Sequence, residues 1–256
     1  MKYLTIGSCL KNEESYIKDF ITYHRYVGVE QFVFLDREFH PLREMLKDYS
    51  DVEIIHFPEG PENLHQVAWA RLIAHMKGKT KWLACIDADQ ALVPVKTNDV
   101  REILRNYEDF ASLLVNWHAF GSSGQETRLP GSVFERFLMR AGVGYRNDMA
   151  VQFICQPDRA LPVPYCNPHM PVLPPGEISI NTDRRITGLE DPPVHDTLWL
   201  AHYWTKSKEE WDIKTARGRP DAFGQKVDIN LYEEYNRDCN AIREERALEL
   251  WKKANE

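Results

Sequence analysis

The spacing of apolar residues changes several times along the chain, and each change marks an element. Residues 3–10 (YLTIGSCL) form a short, mostly apolar run that predicts a strand. From Asn12-Glu13-Glu14 onward, the inward positions Ile17, Phe20, Ile21, His24 and Val27 recur at helical spacing until Gly28, which predicts a helix. Residues 31–35 (QFVFL) predict a second strand closing on Asp36. Residues 41–49 predict a short helix, and 52–57 (VEIIHF) a third strand. After a turn at Pro58, Gly60 and Pro61, residues 63–77 predict a helix carrying Leu64, Val67, Ala68, Arg71, Leu72 and His75, stopped by Gly78. The continuous apolar run WLACI at 82–86 then reads as a strand buried on both faces.

Strands alternating with helices predict an α/β domain built on a parallel sheet, with ligands bound beyond the carboxyl ends of the strands. The second half changes character. Residues 111–115 predict a strand that ends in NWHAFGSSG, residues 134–140 a short helix, and 150–155 a further strand. Residues 157–193 hold nine of the 15 prolines, a density that predicts loops and edge strands, suited to a variable, acceptor-facing region. Residues 198–204 (LWLAHYW) predict the last strand. Ser207 and Glu210 make an S-x-x-E capping box that predicts a helix running to about Arg217, where Gly218 and Pro220 stop it. A charged helix over residues 231–254 closes the chain, its apolar stripe of Ile242, Leu248 and Trp251 predicted to pack on the domain or on a second subunit.

Composition narrows the function. A net charge of −7 over 256 residues argues against a general nucleic-acid binder, which needs a basic face, so any phosphate site must be local. No stretch approaches the roughly 18 apolar residues of a membrane span, and the start reads as a strand rather than a signal peptide. The five cysteines are widely spaced with no C-x-x-C pair, which predicts free thiols and a cytoplasmic setting.

The chemistry is concentrated where WLACI runs into Asp87 and Asp89. Two carboxylates at one strand end repel each other unless protonated, solvated or bridged by a cation. Spacing of i and i+2 can aim both at one hard ion, and Mg²⁺ or Mn²⁺ takes a few carboxylates plus substrate phosphates. Asp36 and the Lys11-Asn12-Glu13 segment fall at the same predicted edge. Toward the end of the chain, His202 is a candidate third metal ligand, and Lys206, Lys214 and Arg217 form a local basic cluster able to share phosphate charge.

MKYLTIGSCLKNEESYIKDFITYHRYVGVEQFVFLD, HQVAWARLIAH, the IDAD motif, NWHAFGSSG and HYWTKSKEEWDIKTARG together resemble the family 2-like and family 92-like glycosyltransferases over nearly the whole chain and in the same order. The resemblance implies a GT-A-like (Rossmann-like) mixed sheet flanked by helices, with a proline-rich irregular region and C-terminal helices. It implies a single domain: 1–110 a nucleotide-sugar-binding half, 111–205 an acceptor-side half and 206–256 the C-terminal helices. By the same resemblance Lys11, Asn12, Glu13 and Asp36 serve the nucleoside, and Gln66 and Arg71 lie on the helix that approaches the donor. Asp89 binds Mn²⁺ or Mg²⁺, with Asp87 toward the ribose or a metal-bound water and His202 completing the metal site. Lys206, Lys214 and Arg217 lie near the diphosphate, and Trp117, His118, Phe120 and Gly121 line the sugar or acceptor pocket.

One departure stands out: Gln90-Ala91 follows the second aspartate, where the resemblance implies an acidic and an aromatic residue. For the proton acceptor of an inverting transfer, Glu135 is the first candidate and Asp148 the second. The expected partners are a nucleotide sugar, with a UDP-sugar favoured, and a glycan or lipid-linked glycan acceptor, with peripheral membrane contact compatible and no nucleic acid. The alternative function is a degenerate GT-A domain acting as a carbohydrate-binding or assembly module. A haloacid-dehalogenase-type phosphatase fits poorly, because its aspartate pair sits near the start of the domain. A sugar-nucleotide pyrophosphorylase would show a glycine-rich loop that SCLKNEE lacks.

Overall fold

The computed structural model describes residues 1–11, 13–37, 41–58, 64–164, 167–188, 191–216 and 231–256. Asn12 and Arg217, with the turn and stop residues Gly60, Pro61, Gly218 and Pro220, lie outside the described residues.

The first half alternates as its hydrophobic pattern predicts: β1 (Lys2–Leu10), α1 (Ile17–Tyr26), β2 (Gln31–Asp36), α2 (Pro41–Met45), β3 (Val52–His56), α3 (Leu64–Met76) and β4 (Thr80–Cys85). These four strands are parallel, in the spatial order β3-β2-β1-β4. Alternation along β1 divides the core. Leu4, Ile6 and Leu10 join α1 on one face, while Leu72, Ile73 and Met76 of α3 cover Leu83 and Cys85 on the other. Gly7 is where α3 comes closest, since a Cβ there would lie 2.9 Å from Leu72 Cδ1.

After β4 the topology departs from simple winding. β5 (Gln90–Pro94) leaves the aspartate pair for the opposite edge of the sheet, and α4 (Val100–Leu104) follows. β6 (Ser112–Ala119) extends through NWHA, four residues beyond the strand predicted over 111–115. α5 (Val133–Arg136) spans one turn and gives way to β7 (Met139–Arg140), so the helix expected over 134–140 ends at Arg136 and its last two residues are strand. β8 (Val151–Cys155), β9 (Ser179–Ile180), β10 (Leu198–His202) and α6 (Lys208–Ala216) follow. The sheet continues β4-β8-β6-β10-β5, with β8 and β5 antiparallel to their neighbours, so it is mixed rather than all parallel.

The helix expected over 231–254 is instead two, α7 (Leu231–Asp238) and α8 (Arg246–Ala254), separated by β11 (Ile242–Arg243). The break has a physical cause. Ala241 N–H donates to Arg140 O at 3.0 Å and Glu244 N–H to Leu138 O at 2.8 Å, so β7 recruits the chain as its antiparallel partner. The expected packing of the stripe survives in α8, where Trp251 stacks on Phe134 at 5.3 Å.

Candidate active site

The aspartate pair lies in a turn whose position is set by both ends of the sheet. Ile86 N–H still donates to Gly7 O (3.2 Å), and Gln90 N–H closes the turn on Asp87 O (3.0 Å). β5 then runs antiparallel to β10, with Gln90 opposite His202, and Tyr203 N–H donates to Asp89 O at 2.8 Å. Asp89 and His202, separated by more than a hundred residues, become neighbours because β5 crosses to β10.

Asp89 has a different partner at each oxygen. Oδ2 accepts from Lys214 Nζ at 2.8 Å, and Oδ1 lies 3.7 Å from His202 Nε2. Lys214 also donates to Trp204 O at 3.1 Å. Burial works to raise the Asp89 pKa, but Lys214, then His202 and Lys206, outweigh it and hold the carboxylate well below its usual range. Burial pushes His202 down to about 4 against the pull of Asp89, so its imidazole is neutral at pH 7. Asp87 turns the other way: Oδ1 lies 3.6 Å from His65 Nε2, and Oδ2 accepts from Gln90 Nε2 at 3.4 Å. Its pKa is raised by burial, with His65 opposing and Asp89 adding to the rise.

The donor set suits a hard divalent cation. The 3.7 Å between Asp89 Oδ1 and His202 Nε2 is too long for a hydrogen bond. Neighbouring ligands of an octahedral ion with bonds of about 2.1 Å stand about 3.0 Å apart, so the two atoms would have to close by about 0.7 Å to share one ion. A neutral imidazole and an ionised carboxylate present the protonation states that such an ion needs. A second group, His118, Asp148 and His195, has ligand atoms within 4.8 Å of one another. Several of its atoms are engaged within the fold: Asp148 Oδ1 accepts from Ala119 N–H (2.9 Å), Asp148 Oδ2 meets His118 Nδ1 (3.1 Å), and His195 Nε2 meets Trp117 O (2.8 Å).

Trp117 and Lys206 flank the aspartates. The Trp117 ring meets His202 edge-on at 4.3 Å and His169 at 5.3 Å, and among the described residues its buried Nε1 has no hydrogen-bond partner. Lys206 is buried with left-handed backbone (φ 54°), its ammonium 4.9 Å from the centre of the Tyr16 ring. Among the described residues, no carboxylate stands within ion-pair distance of it. Tyr16 is fixed from behind. Its hydroxyl donates to Glu210, which is paired at 2.8 Å with the buried Arg136 and also accepts from Ser207 Oγ at 2.6 Å.

The other predicted residues divide. Glu13 is close enough for its charge to act on both Asp87 and Lys214. Lys11 is half-buried beyond the end of β1, and Asp36 is buried at the end of β2, in register with Leu10. Gln66 is buried, with Oε1 unpartnered among the described residues, while Arg71 is exposed with its guanidinium 5.5 Å from the Phe57 ring. His118 is on the face of β6 opposite Trp117, packed on Trp199 at 4.8 Å. Phe120 is a core residue against Tyr203 (4.9 Å), and Gly121 permits close approach, since a Cβ there would lie 2.5 Å from Cys239 O.

Glu135 is exposed and accepts from Ser132 N–H at 3.1 Å, as the N3 residue of a capping box on α5. Beside it is a cleft of about 500 Å³ lined by Tyr16, Asp19, Arg128, Gly131, Ser132 and Trp251. His65, Gln90, Tyr16 and Arg136 were not picked out as site residues from sequence. Only Gln90 carried a signal, its place directly after the aspartate pair.

A mixed sheet flanked by helices, with an acidic pair at its carboxyl edge and the ammonium groups of Lys206 and Lys214 beside it, defines an α/β protein with one candidate site. Residues 6–140, more than half of the chain, match glycosyltransferase family 92, so the protein belongs to that family and is a glycosyltransferase. No curated protein matches the sequence. Among solved structures, HddC from Yersinia pseudotuberculosis is similar at 8% identity and a TM-score of 0.38, over 66% of this chain and 82% of that one. A 4-diphosphocytidyl-2C-methyl-D-erythritol synthase is similar at 9% identity and a TM-score of 0.36, over 62% of this chain and 77% of that one. Among the described residues, no helix is long and apolar enough to cross a membrane.

Proposed function

We propose that this glycosyltransferase moves a sugar from a UDP-sugar, held with the help of Mn²⁺ or Mg²⁺, to a glycan or lipid-linked glycan in the cytoplasm, with inversion at the anomeric carbon. The observation that carries the reading is the Asp89 carboxylate, with one oxygen toward the neutral His202 imidazole and the other on Lys214. Asp89 and His202 would hold the divalent cation, which would supply positive charge to the departing diphosphate. The remaining roles belong to side chains. Lys206 and Lys214 share the leaving-group charge, with Arg217 as the third member of the basic group. Asp87 orients the ribose or a water on the ion, while Lys11, Asn12, Glu13, Asp36, Gln66 and Arg71 serve the nucleoside end. The Trp117 ring offers a flat apolar face to the sugar.

The acceptor enters the cleft beside Tyr16, which Asp19 lines, and Glu135 next to it is an exposed carboxylate that takes the acceptor's hydroxyl proton. Asp148 is the second choice, since both of its oxygens are already hydrogen-bonded. Glu135→Gln is expected to lower turnover by about 100-fold or more. A loss of only a few-fold would remove Glu135 from this role.

The decisive experiment is a thermal-shift screen of UDP, GDP, dTDP and CMP, each with and without Mn²⁺, on wild type and Asp89→Ala. A ligand bound only by the native state raises its melting temperature by mass action. A rise with UDP that needs both metal and Asp89 is the expected result. Equal rises without metal, or in Asp89→Ala, would overturn the metal-dependent donor site.

A further inference from the structure

We propose that Lys214 is a counter-ion held in reserve. It neutralises Asp89 while the nucleotide site is empty and passes to the donor diphosphate when a divalent cation takes the carboxylate, so metal and nucleotide bind as a mutually dependent pair. The inference rests on the metal-dependent donor reading above and goes further by assigning Lys214 to the coupling between the two ligands.

Three observations carry it. First, the Lys214 ammonium sits on Asp89 itself, 2.8 Å from Oδ2, so a cation arriving at this carboxylate meets a positive charge already in place. Second, that ammonium has another anchor in the Trp204 carbonyl at 3.1 Å, and its Nζ lies over the Trp204 ring, 5.3 Å from the ring centre. An ammonium has three donors, so it can stay on Trp204 O as a pivot while exchanging a carboxylate oxygen for a phosphate oxygen. Third, Lys206 supplies a further ammonium, this one buried, whose charge reaches Asp89.

Charge balance then sets the order of events. Asp87 and Asp89, with Glu13 near enough to act on both Asp87 and Lys214, face Lys206 and Lys214 across the site. The empty site is close to balanced. A divalent ion alone leaves excess positive charge in a half-buried site, and a diphosphate alone leaves excess negative charge. Together they nearly cancel, so each raises the affinity of the other, and by linkage the effect is reciprocal.

The test is Mn²⁺ binding followed by electron paramagnetic resonance and calorimetry, without turnover, on wild type, Lys214→Met, Lys214→Gln and Asp89→Asn. Wild type should bind Mn²⁺ weakly alone and more tightly with UDP present. Removing the ammonium should strengthen binding of Mn²⁺ alone by about ten-fold, and should shrink the enhancement by UDP to within a few-fold of none. Either Lys214 variant suffices if the other folds poorly, because both remove the charge from a partly exposed side chain. Unchanged or weaker Mn²⁺ binding in these variants would overturn the proposal and reduce Lys214 to a residue that orients Asp89. If Asp89→Asn binds Mn²⁺ as wild type does, the metal-site reading itself fails, which is a distinct result.

Discussion

The side chain of Gln90 holds Asp87 at two points. Its Oε1 accepts from the Asp87 N–H at 3.2 Å, and its Nε2 donates to Asp87 Oδ2 at 3.4 Å. The backbone of Gln90 is meanwhile paired with His202. One residue thus fixes the aspartate turn and joins it to the strand bearing the histidine. An acid in its place would set a third carboxylate against Asp87, whereas the amide supplies a donor without charge.

Gln90→Ala is therefore expected to lower kcat/KM by about 10- to 100-fold, the usual loss when a partner that orients a ligand is removed. The melting temperature should fall by only a few degrees. Steady-state kinetics alongside thermal denaturation separates the two effects, and turnover within two-fold of wild type would refute a positioning role.

The Arg136–Glu210 pair is buried on both sides and fixes Tyr16, over which Lys206 lies. Glu210→Ala leaves a buried guanidinium uncompensated and should destabilise the protein by about 3–5 kcal/mol. Arg136→Met combined with Glu210→Leu should destabilise by clearly less than the two single changes added together, because neither charge is then stranded. Urea titration of the four proteins completes the cycle, and simple additivity would rule out the coupling.

His24 predicts the acid limb of the stability curve. Its Nδ1 donates to Phe20 O (2.8 Å), its Nε2 accepts from Leu92 N–H (3.2 Å), and burial pushes its pKa down to about 3. The unfolded chain takes a proton near pH 6.5 and the folded one does not, so this stability is complete above about 6.5. It is lost as pH falls toward 3, by up to about 1.4 kcal/mol per pH unit for this one group. His202, held at about 4, adds a second such slope in the metal-free protein. Denaturation midpoints measured from pH 8 to pH 4 should fall steadily below 6.5, and a flat profile would show that His24 is charged in the fold.

Two glycines give opposite expectations. A Cβ at Gly121 would lie 2.5 Å from the Cys239 carbonyl, which is backbone and shifts only with its segment, so Gly121→Ala should destabilise by about 1–3 kcal/mol. At Gly142 the nearest atom would be Ala241 Cβ at 3.6 Å, an ordinary contact, so Gly142→Ala should be neutral or stabilise by about 0.4–1 kcal/mol. Calorimetric melting of both variants checks the contrast.

Much of the first half was legible in the sequence. Runs of apolar residues with period 2 or none, broken by helical spacing and stopped by Gly28 and Gly78, locate β1 to β4 and the helices between them. The S-x-x-E box at Ser207 was equally readable: Ser207 N–H donates to Glu210 Oε2 at 3.3 Å and Glu210 N–H to Ser207 Oγ at 3.4 Å. β5 was missed although Ala91, Leu92 and Val93 are all buried, because five residues directly after a turn carry no period long enough to separate strand from loop. The break between α7 and α8 was missed because its cause, pairing with β7 a hundred residues earlier, leaves no local mark.

Local pattern and turn chemistry, which act between residues a few positions apart, by themselves determine that this chain makes a sheet flanked by helices, with Asp87 and Asp89 at a strand end. The tertiary structure alone decides which groups those carboxylates meet. Asp89 faces His202 because β5 pairs with β10, and it holds Lys214 because α6 follows that strand. Contacts of this kind join residues far apart in the chain, and only the packed sheet and its registers set their distances.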